Sequence, residues 1–184
     1  MKERIMNAFI EEIIEKGMKF TMDDLSRRLG ISKRTLYEHF PSKVAILDAI
    51  IESTLTSLDE RTSAILTNPE IDLLEKIKQT ITVVPTFTEF YDSRILDQMK
   101  RTYPEQWEKM NAALSQWDDL RLLIEQGIEE GLIAETNVQL VMKLIIGATN
   151  TTLDRRFFQD NRITVDEAFH SIVNLILYGL VKRE

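Results

Sequence analysis

Between residues 26 and 43 the chain carries five basic side chains, Arg27, Arg28, Lys33, Arg34 and Lys43, against Glu38 alone. Such a local surplus of cations on an otherwise acidic protein can serve as an electrostatic footprint for phosphate; its bland alternative is a solvated helical face. The rest of the chain does not share it. Residues 1–50 hold nine Lys and Arg against eight Asp and Glu, residues 51–184 hold fourteen against twenty-two, and the whole carries a net charge of -7. The distribution of charge, not its total, therefore keeps nucleic acid open as a partner.

Catalytic chemistry is poorly supplied. With two His and no Cys, the chain has no cysteine nucleophile, thiolate metal site or disulfide, and little from which to build a nucleophilic triad. Glu167-Ala-Phe-His170 is an E-x-x-H pair of the kind used by di-iron helical bundles, which need a second such pair and two further glutamates. No second pair exists, so this one reads as incidental. No enzymatic activity, cofactor or metal site is expected, and a helical-bundle enzyme stays only as the weaker alternative.

The elements that position these residues are helical. Gly and Pro are scarce, at 6 and 4, and 43% of the residues are hydrophobic. Ile5, Phe9 and Ile13 recur at i, i+4, as do Met6, Ile10 and Ile14, which predicts an amphipathic helix over about 3–15 with Gly17 as its stop. Thr21 is a good N-cap, with Asp24 three residues on, and a short helix is expected from Met22 to Leu29. Gly30 ends it, Ser32 caps a third helix over 33–39, and Pro41-Ser42 precedes a long fourth over 43–66. Further helices are expected at 73–91, bent or broken by Pro85, at 93–102, 104–130, 138–158 and 165–182. The fold class is thus all-α, about nine helices, with no persistent strand alternation. The first twenty residues do not read as a signal peptide, because charges interrupt every apolar run. No apolar stretch reaches membrane-spanning length, and a cytoplasmic location is expected.

Residues 22–40, MDDLSRRLGISKRTLYEHF, read as a helix-turn-helix. Leu25, Leu29, Leu36 and Phe40 face the core of a small three-helix bundle, and Gly30 supplies the positive φ of the turn. Ile31 plugs the gap between the helices. Ser32 leaves the start of the third helix facing outward, where a phosphate can sit. Lys33, Arg34 and Thr35 lie in its first turn, where base edges are reached.

The stretch GISKRTLYEHFPSK resembles the signature of the TetR (tetracycline repressor) family of transcription regulators. The first helix ending in Gly17, the Phe20-Thr21-Met22 approach, and Tyr37, His39, Phe40 and Lys43 fall at that family's spacing, over about residues 5–50. TYPEQW (102–107) and EEGLIAE (129–135) also look like segments common in such regulators. Ser26 and Leu29 stand where Ala is frequent, and Arg34 where Gly is frequent, which bears on which operator is read. The resemblance implies that Tyr37 and Lys43 contact backbone phosphate and that Lys33, Arg34, Thr35 and His39 lie near bases or phosphates. With Thr21 and Ser32 these form the candidate DNA-contact set. The expected division is a DNA-binding domain over 1–46 and a helical ligand-binding and dimerisation domain over 47–184.

In that larger region the last two helices are too apolar for a monomer surface. Phe169, Ile172, Val173, Ile176, Leu177 and Leu180 form one stripe, and Gly147, Ala148 and Thr151 are small enough for close helix crossing. The resemblance implies a two-fold dimer through these helices, hence a palindromic operator. Candidate dimer residues are Gly147, Ala148, Thr151, Phe169, Ile172, Val173, Ile176 and Leu180. The middle helices are rich in aromatics and Met, which suits an apolar or aromatic ligand. Phe87, Phe90, Tyr91, Met99, Tyr103, Trp107, Met110, Trp117, Asn150 and Arg155 are the candidate ligand contacts. The expected function is a sequence-specific DNA-binding regulator, a repressor released from its operator by a small hydrophobic or aromatic effector. A DNA-binding regulator with no such inducer is the alternative. The partners are then an operator duplex, an effector and a second copy of the chain, with no membrane.

Overall fold

The computed structural model describes residues 1–84, 86–87, 92–115, 117–151 and 160–180. Among them the chain forms ten α-helices and no strand. In order they are α1 (Lys2–Lys16), α2 (Met22–Leu29), α3 (Lys33–His39), α4 (Lys43–Thr67), α5 (Leu73–Thr82), α6 (Ser93–Thr102), α7 (Pro104–Leu114), α8 (Asp118–Glu129), α9 (Val138–Thr151) and α10 (Val165–Leu180), with a 3₁₀ turn at Gly17–Lys19. No helix among the described residues is long and apolar enough to cross a membrane.

Two compact units share these elements: residues 1–57 with 85–113, and residues 58–84 with 114–184. This division differs from a boundary near residue 46, because α6 packs on the 3₁₀ turn and so joins the N-terminal helices in one unit.

The core of the first unit is built on the apolar face of α1. Ile5, Phe9 and Ile13 are fully buried, as are Leu25 of α2, Leu36 of α3 and Ile46, Leu47 and Ile50 of α4. Burying each such side chain stabilises the fold by about 1.5–3 kcal/mol. Phe9 and Phe20 meet edge to face, with ring centroids 4.9 Å apart.

The second unit packs α5, α8, α9 and α10 around Ile77, Ile81, Leu120, Leu123, Ile124, Ile133, Val141, Met142, Ile145, Val173 and Leu177. The chain reverses after α8, and Ile133 folds back so closely that a Cβ on Gly127 would lie 2.7 Å from its Cδ1.

Two long helices expected from sequence are shorter or split. The helix expected over 73–91 ends at Thr82, with Val83 and Val84 outside it. A residue before proline is driven out of the α region, and Val84 precedes Pro85. The helix expected over 104–130 breaks between Leu114 and Asp118. Trp117 there is non-helical (φ -123, ψ 32), and Asp118 and Asp119 start α8 with charges that suit a helix N-terminus.

Candidate nucleic-acid interface

The path of the chain into α3 is fixed locally. Thr21 and Asp24 form a reciprocal cap: the Asp24 N–H donates to Thr21 Oγ1 (3.2 Å), and the Thr21 N–H donates to Asp24 Oδ2 (2.8 Å). The Thr21 hydroxyl, which also donates to Asp24 Oδ2 (2.7 Å), and the Thr21 N–H hold the Asp24 carboxyl below its ordinary pKa. At the other end of α2, Gly30 is left-handed (φ 64, ψ 31), its N–H bonds to Arg27 O, and the Ile31 N–H bonds to Ser26 O (3.1 Å). This is the double closure that ends a helix on glycine. Ser32 then caps α3, its Oγ accepting from the Thr35 N–H (3.0 Å) and lying 2.8 Å from Thr35 Oγ1.

α3 has two faces. Leu36 is fully buried and Phe40, just past its end, nearly so. Lys33, Arg34, Tyr37 and Glu38 are exposed, and Tyr37 retains 48% of its surface. Thr35 and His39 are half-buried at the edges. Both cations of the exposed face already hold carboxylates. Lys33 pairs with Asp23 at the start of α2, and Arg34 Nε donates to Glu38 Oε1 at 3.1 Å. Thr21 and Ser32 use their hydroxyls as caps.

Lys43 is placed otherwise than the expected phosphate contact. Its ammonium donates to Met18 O (2.7 Å) and Phe20 O (2.6 Å) and sits 3.7 Å from the centre of the Phe20 ring. Burial lowers its pKa to about 8, against the pull of Asp24 and Glu12. The side chain thus ties the start of α4 to the 3₁₀ turn. The signal that could have shown this is the aromatic at Phe20, a face for a cation.

Behind the exposed face, Arg28 of α2 bridges three carboxylates of α1: Glu11 (3.0 Å), Glu12 (2.6 Å) and Glu15. Glu12 is buried and also pairs with Lys16 at 2.7 Å. Burial works to raise the Glu12 pKa, but the hydrogen bonds and charges of Arg28 and Lys16 outweigh it and hold the carboxyl below its ordinary value. The hydrogen bonds of Arg28 to Glu12, Glu15 and Glu11 in turn raise its own pKa. The cluster fixes α2, and through it α3, against α1.

The candidate ligand contacts do not form one group. Met99 and Met110 are fully buried in the first unit, where Tyr103 and Trp107 are half-buried. Phe87, in the same unit, is half-buried with a left-handed backbone (φ 59). Trp117 packs against the core of the second unit, and Asn150 is exposed there. Phe90, Tyr91 and Arg155 lie outside the described residues.

Of the candidate dimer residues, Val173 is buried in the core of its own unit and Ile176 packs against that core. Neither points outward. The outward apolar residues are Leu140 and Leu144 of α9 and Leu175 (78% exposed) and Tyr178 (68%) of α10, none of which stands among the candidate dimer residues. Gly147 shares the outward side of α9, with open space where a Cβ would stand, and Ala148 is half-buried. Phe169 and Ile172 are half-buried. The side chains of Thr151 and Leu180 lie outside the description. Glu167 is a cap for Thr164 (2.8 Å to its N–H), and the His170 ring nitrogen lies 2.9 Å from Asp166 O, so the E-x-x-H spacing serves the helix start.

Residues 5–50 match the family described as "Bacterial regulatory proteins, tetR family". Over its full length the chain is 28% identical to the "Uncharacterized HTH-type transcriptional regulator YvaF" of Bacillus subtilis (strain 168), covering 97% of that protein. Its fold is similar to the crystal structure of the TetR family transcriptional regulator PfmR from Thermus thermophilus, with a TM-score of 0.73, 25% identity, and coverage of 100% of this chain and 98% of that one. It is also similar to FadR from Bacillus subtilis, solved in complex with stearoyl-CoA, with a TM-score of 0.68, 19% identity, and coverage of 97% and 99%. The two-faced third helix, the capped turn before it and the helical region after it accord with these likenesses: residues 5–50 carry the N-terminal domain of the TetR family of bacterial regulatory proteins, and the chain as a whole is similar to transcriptional regulators of that family.

Proposed function

We propose that the protein is a repressor that binds a palindromic operator as a homodimer and releases it when a small hydrophobic or aromatic effector binds the region after the helix-turn-helix. The observation that carries the reading is the division of α3. Leu36 anchors it in the core while Lys33, Arg34 and Tyr37 stand on one solvent-facing side. Lys33 and Arg34 reach bases and phosphates, Tyr37 anchors on phosphate, and Thr35 and His39 flank them. Thr21 and Ser32 contribute as caps that set the helix, and Lys43 as the tie beneath it.

Dimerisation is supported by the outward stripe Leu140, Leu144, Leu175 and Tyr178, because apolar surface of this kind is stable in water when a partner covers it. Two copies related by a two-fold axis read inverted half-sites. An apolar effector is supported by the aromatic and Met content of the middle helices, and FadR, with this fold, holds stearoyl-CoA. Selection from a randomised duplex library, followed by sedimentation of the complex, tests the reading. An inverted repeat bound by an even number of chains is expected; an asymmetric site bound by one chain overturns it. Long-chain acyl-CoA and a mixed set of aromatic compounds, added to the preformed complex, then test release.

A further inference from the structure

The exposed face of α3 carries an acid as well as bases, and its chemistry is restrictive. Glu38 is 59% exposed and pairs with Arg34, itself 89% exposed, one helical turn back. A carboxylate brought up to DNA meets a wall of like charge. It has acceptors only, so the groove can satisfy it through just two groups, the exocyclic amines of cytosine (N4) and adenine (N6). Adenine presents its amine beside the N7 acceptor, which repels a carboxylate, whereas cytosine presents the amine alone. The neighbouring Arg34 has donors only, and its fork matches O6 and N7 of guanine. Guanine and cytosine are the two halves of one base pair. The i, i+4 spacing already holds the two side chains side by side, with complementary charge, before DNA arrives.

Resting on the reading of α3 as the helix that enters the major groove, we propose that Glu38 is a specificity-determining residue. With Arg34 it reads a G·C pair or two adjacent pairs, Arg34 taking guanine and Glu38 taking the cytosine amine. Glu38 also acts against the wrong sequence. Where no amine meets it, an unpaired carboxylate is left among phosphates, and binding weakens. The pair thus lowers affinity for random DNA as well as choosing a base.

The test is selection from a randomised duplex library by the wild-type chain and by Glu38→Gln, Glu38→Ala and Arg34→Ala, with affinities for the selected and random duplexes measured by fluorescence anisotropy. All four fold alike, because both side chains are solvent-facing. The wild type is expected to select cytosine at one position with guanine opposite or adjacent. Glu38→Gln shifts that cytosine to adenine, since an amide offers adenine both a donor and an acceptor. Glu38→Ala makes the position indifferent, lowers affinity for the wild-type sequence about 5- to 10-fold and leaves random DNA bound at least as tightly. Arg34→Ala relaxes the guanine. If Glu38→Ala and Glu38→Gln select the same sequence as the wild type, or strengthen binding to every duplex equally, Glu38 only repels phosphate and the proposal fails. If the wild type itself selects no sequence, the groove-reading role of α3 fails first, and this inference with it.

Discussion

Gln98 Oε1 occupies the space that a β-carbon on Gly17 would need. The amide oxygen accepts from the Met18 N–H at 2.8 Å, and a Cβ on Gly17 would lie 2.4 Å from it. Gly17 itself sits at φ 66, ψ -164, a backbone region open essentially to glycine alone. The 3₁₀ turn is thus gripped from both sides: Gln98 of α6 holds the N–H of Met18, and Lys43 of α4 holds its carbonyl.

Gly17→Ala is therefore expected to be destabilising through two separable effects. The backbone strain is about 1–3 kcal/mol, and the collision with Gln98 adds to it. Gln98→Ala alone should lose about 1 kcal/mol, one hydrogen bond. In the double variant the collision disappears, so Gly17→Ala should be less damaging in the Gln98→Ala background than in the wild type. Denaturant melts of the four proteins give the coupling. Simple additivity would show that the two residues do not compete for the same space. Gly30, by contrast, has nothing within 4 Å of where a Cβ would stand, so a substitution there meets only the left-handed penalty, about 1–2 kcal/mol.

Lys43→Ala separates a structural lysine from a phosphate anchor. A side chain neutralising one phosphate changes the salt dependence of binding by about 0.9 in the log–log slope. A side chain bonded to Met18 O and Phe20 O leaves that slope unchanged and instead lowers stability, by about 1–2 kcal/mol for hydrogen bonds at a half-exposed site. The second outcome is expected. An unchanged melting temperature with a shallower salt slope would return Lys43 to the DNA.

The cluster at Arg28 makes the helix-turn-helix acid-sensitive. Glu12 is depressed in the folded chain, so the unfolded chain binds the extra proton first. Its contribution to stability is full above the ordinary glutamate value of 4.5 and is lost as pH falls through the lower folded value. Thermal melts of the wild type should decline across that acid window. Glu12→Gln should melt several degrees lower at neutral pH and show a flatter acid limb. An identical acid limb in the variant would assign the decline to other carboxylates.

Much of the helix-turn-helix was legible because its determinants are local. Thr21, Gly30 and Ser32 act on backbone groups within four residues, and the starts and stops of α2 and α3 fall where their types predict. What the sequence left unread is tertiary. Nothing near Gly17 announces Gln98, some eighty positions on. Lys43 could face solvent, phosphate or carbonyl with equal local logic. On α9 and α10 the failure has a different cause: both helices are apolar nearly all round, so periodicity gives a period without a direction. Val173 and Leu175 are equally good core residues by type, and only the packing against α5 and α9 decides which turns inward.

That orientation decides where a charge breaks the dimer without breaking the chain. Val173 is in the core, so Val173→Asp should unfold the second unit and say nothing about assembly. Leu144 and Leu175 are mostly exposed in the single chain, and an aspartate at either stays hydrated as long as the chain is alone. In a two-fold assembly each substitution is buried twice. Every ion then loses its water without gaining a partner, an effective penalty of several kcal/mol per ion. Leu144→Asp and Leu175→Asp should therefore give helical, cooperatively melting monomers, while the wild type sediments as a dimer. Operator affinity should fall steeply, because one α3 grips one half-site, whereas binding to random DNA at low salt should fall far less. Circular dichroism, sedimentation equilibrium and anisotropy on the same samples keep the outcomes apart. Two folded variants that remain dimeric and bind the operator as the wild type does would show that the stripe of Leu140, Leu144, Leu175 and Tyr178 is not the interface, and the expectation of a palindromic site would lose its structural ground.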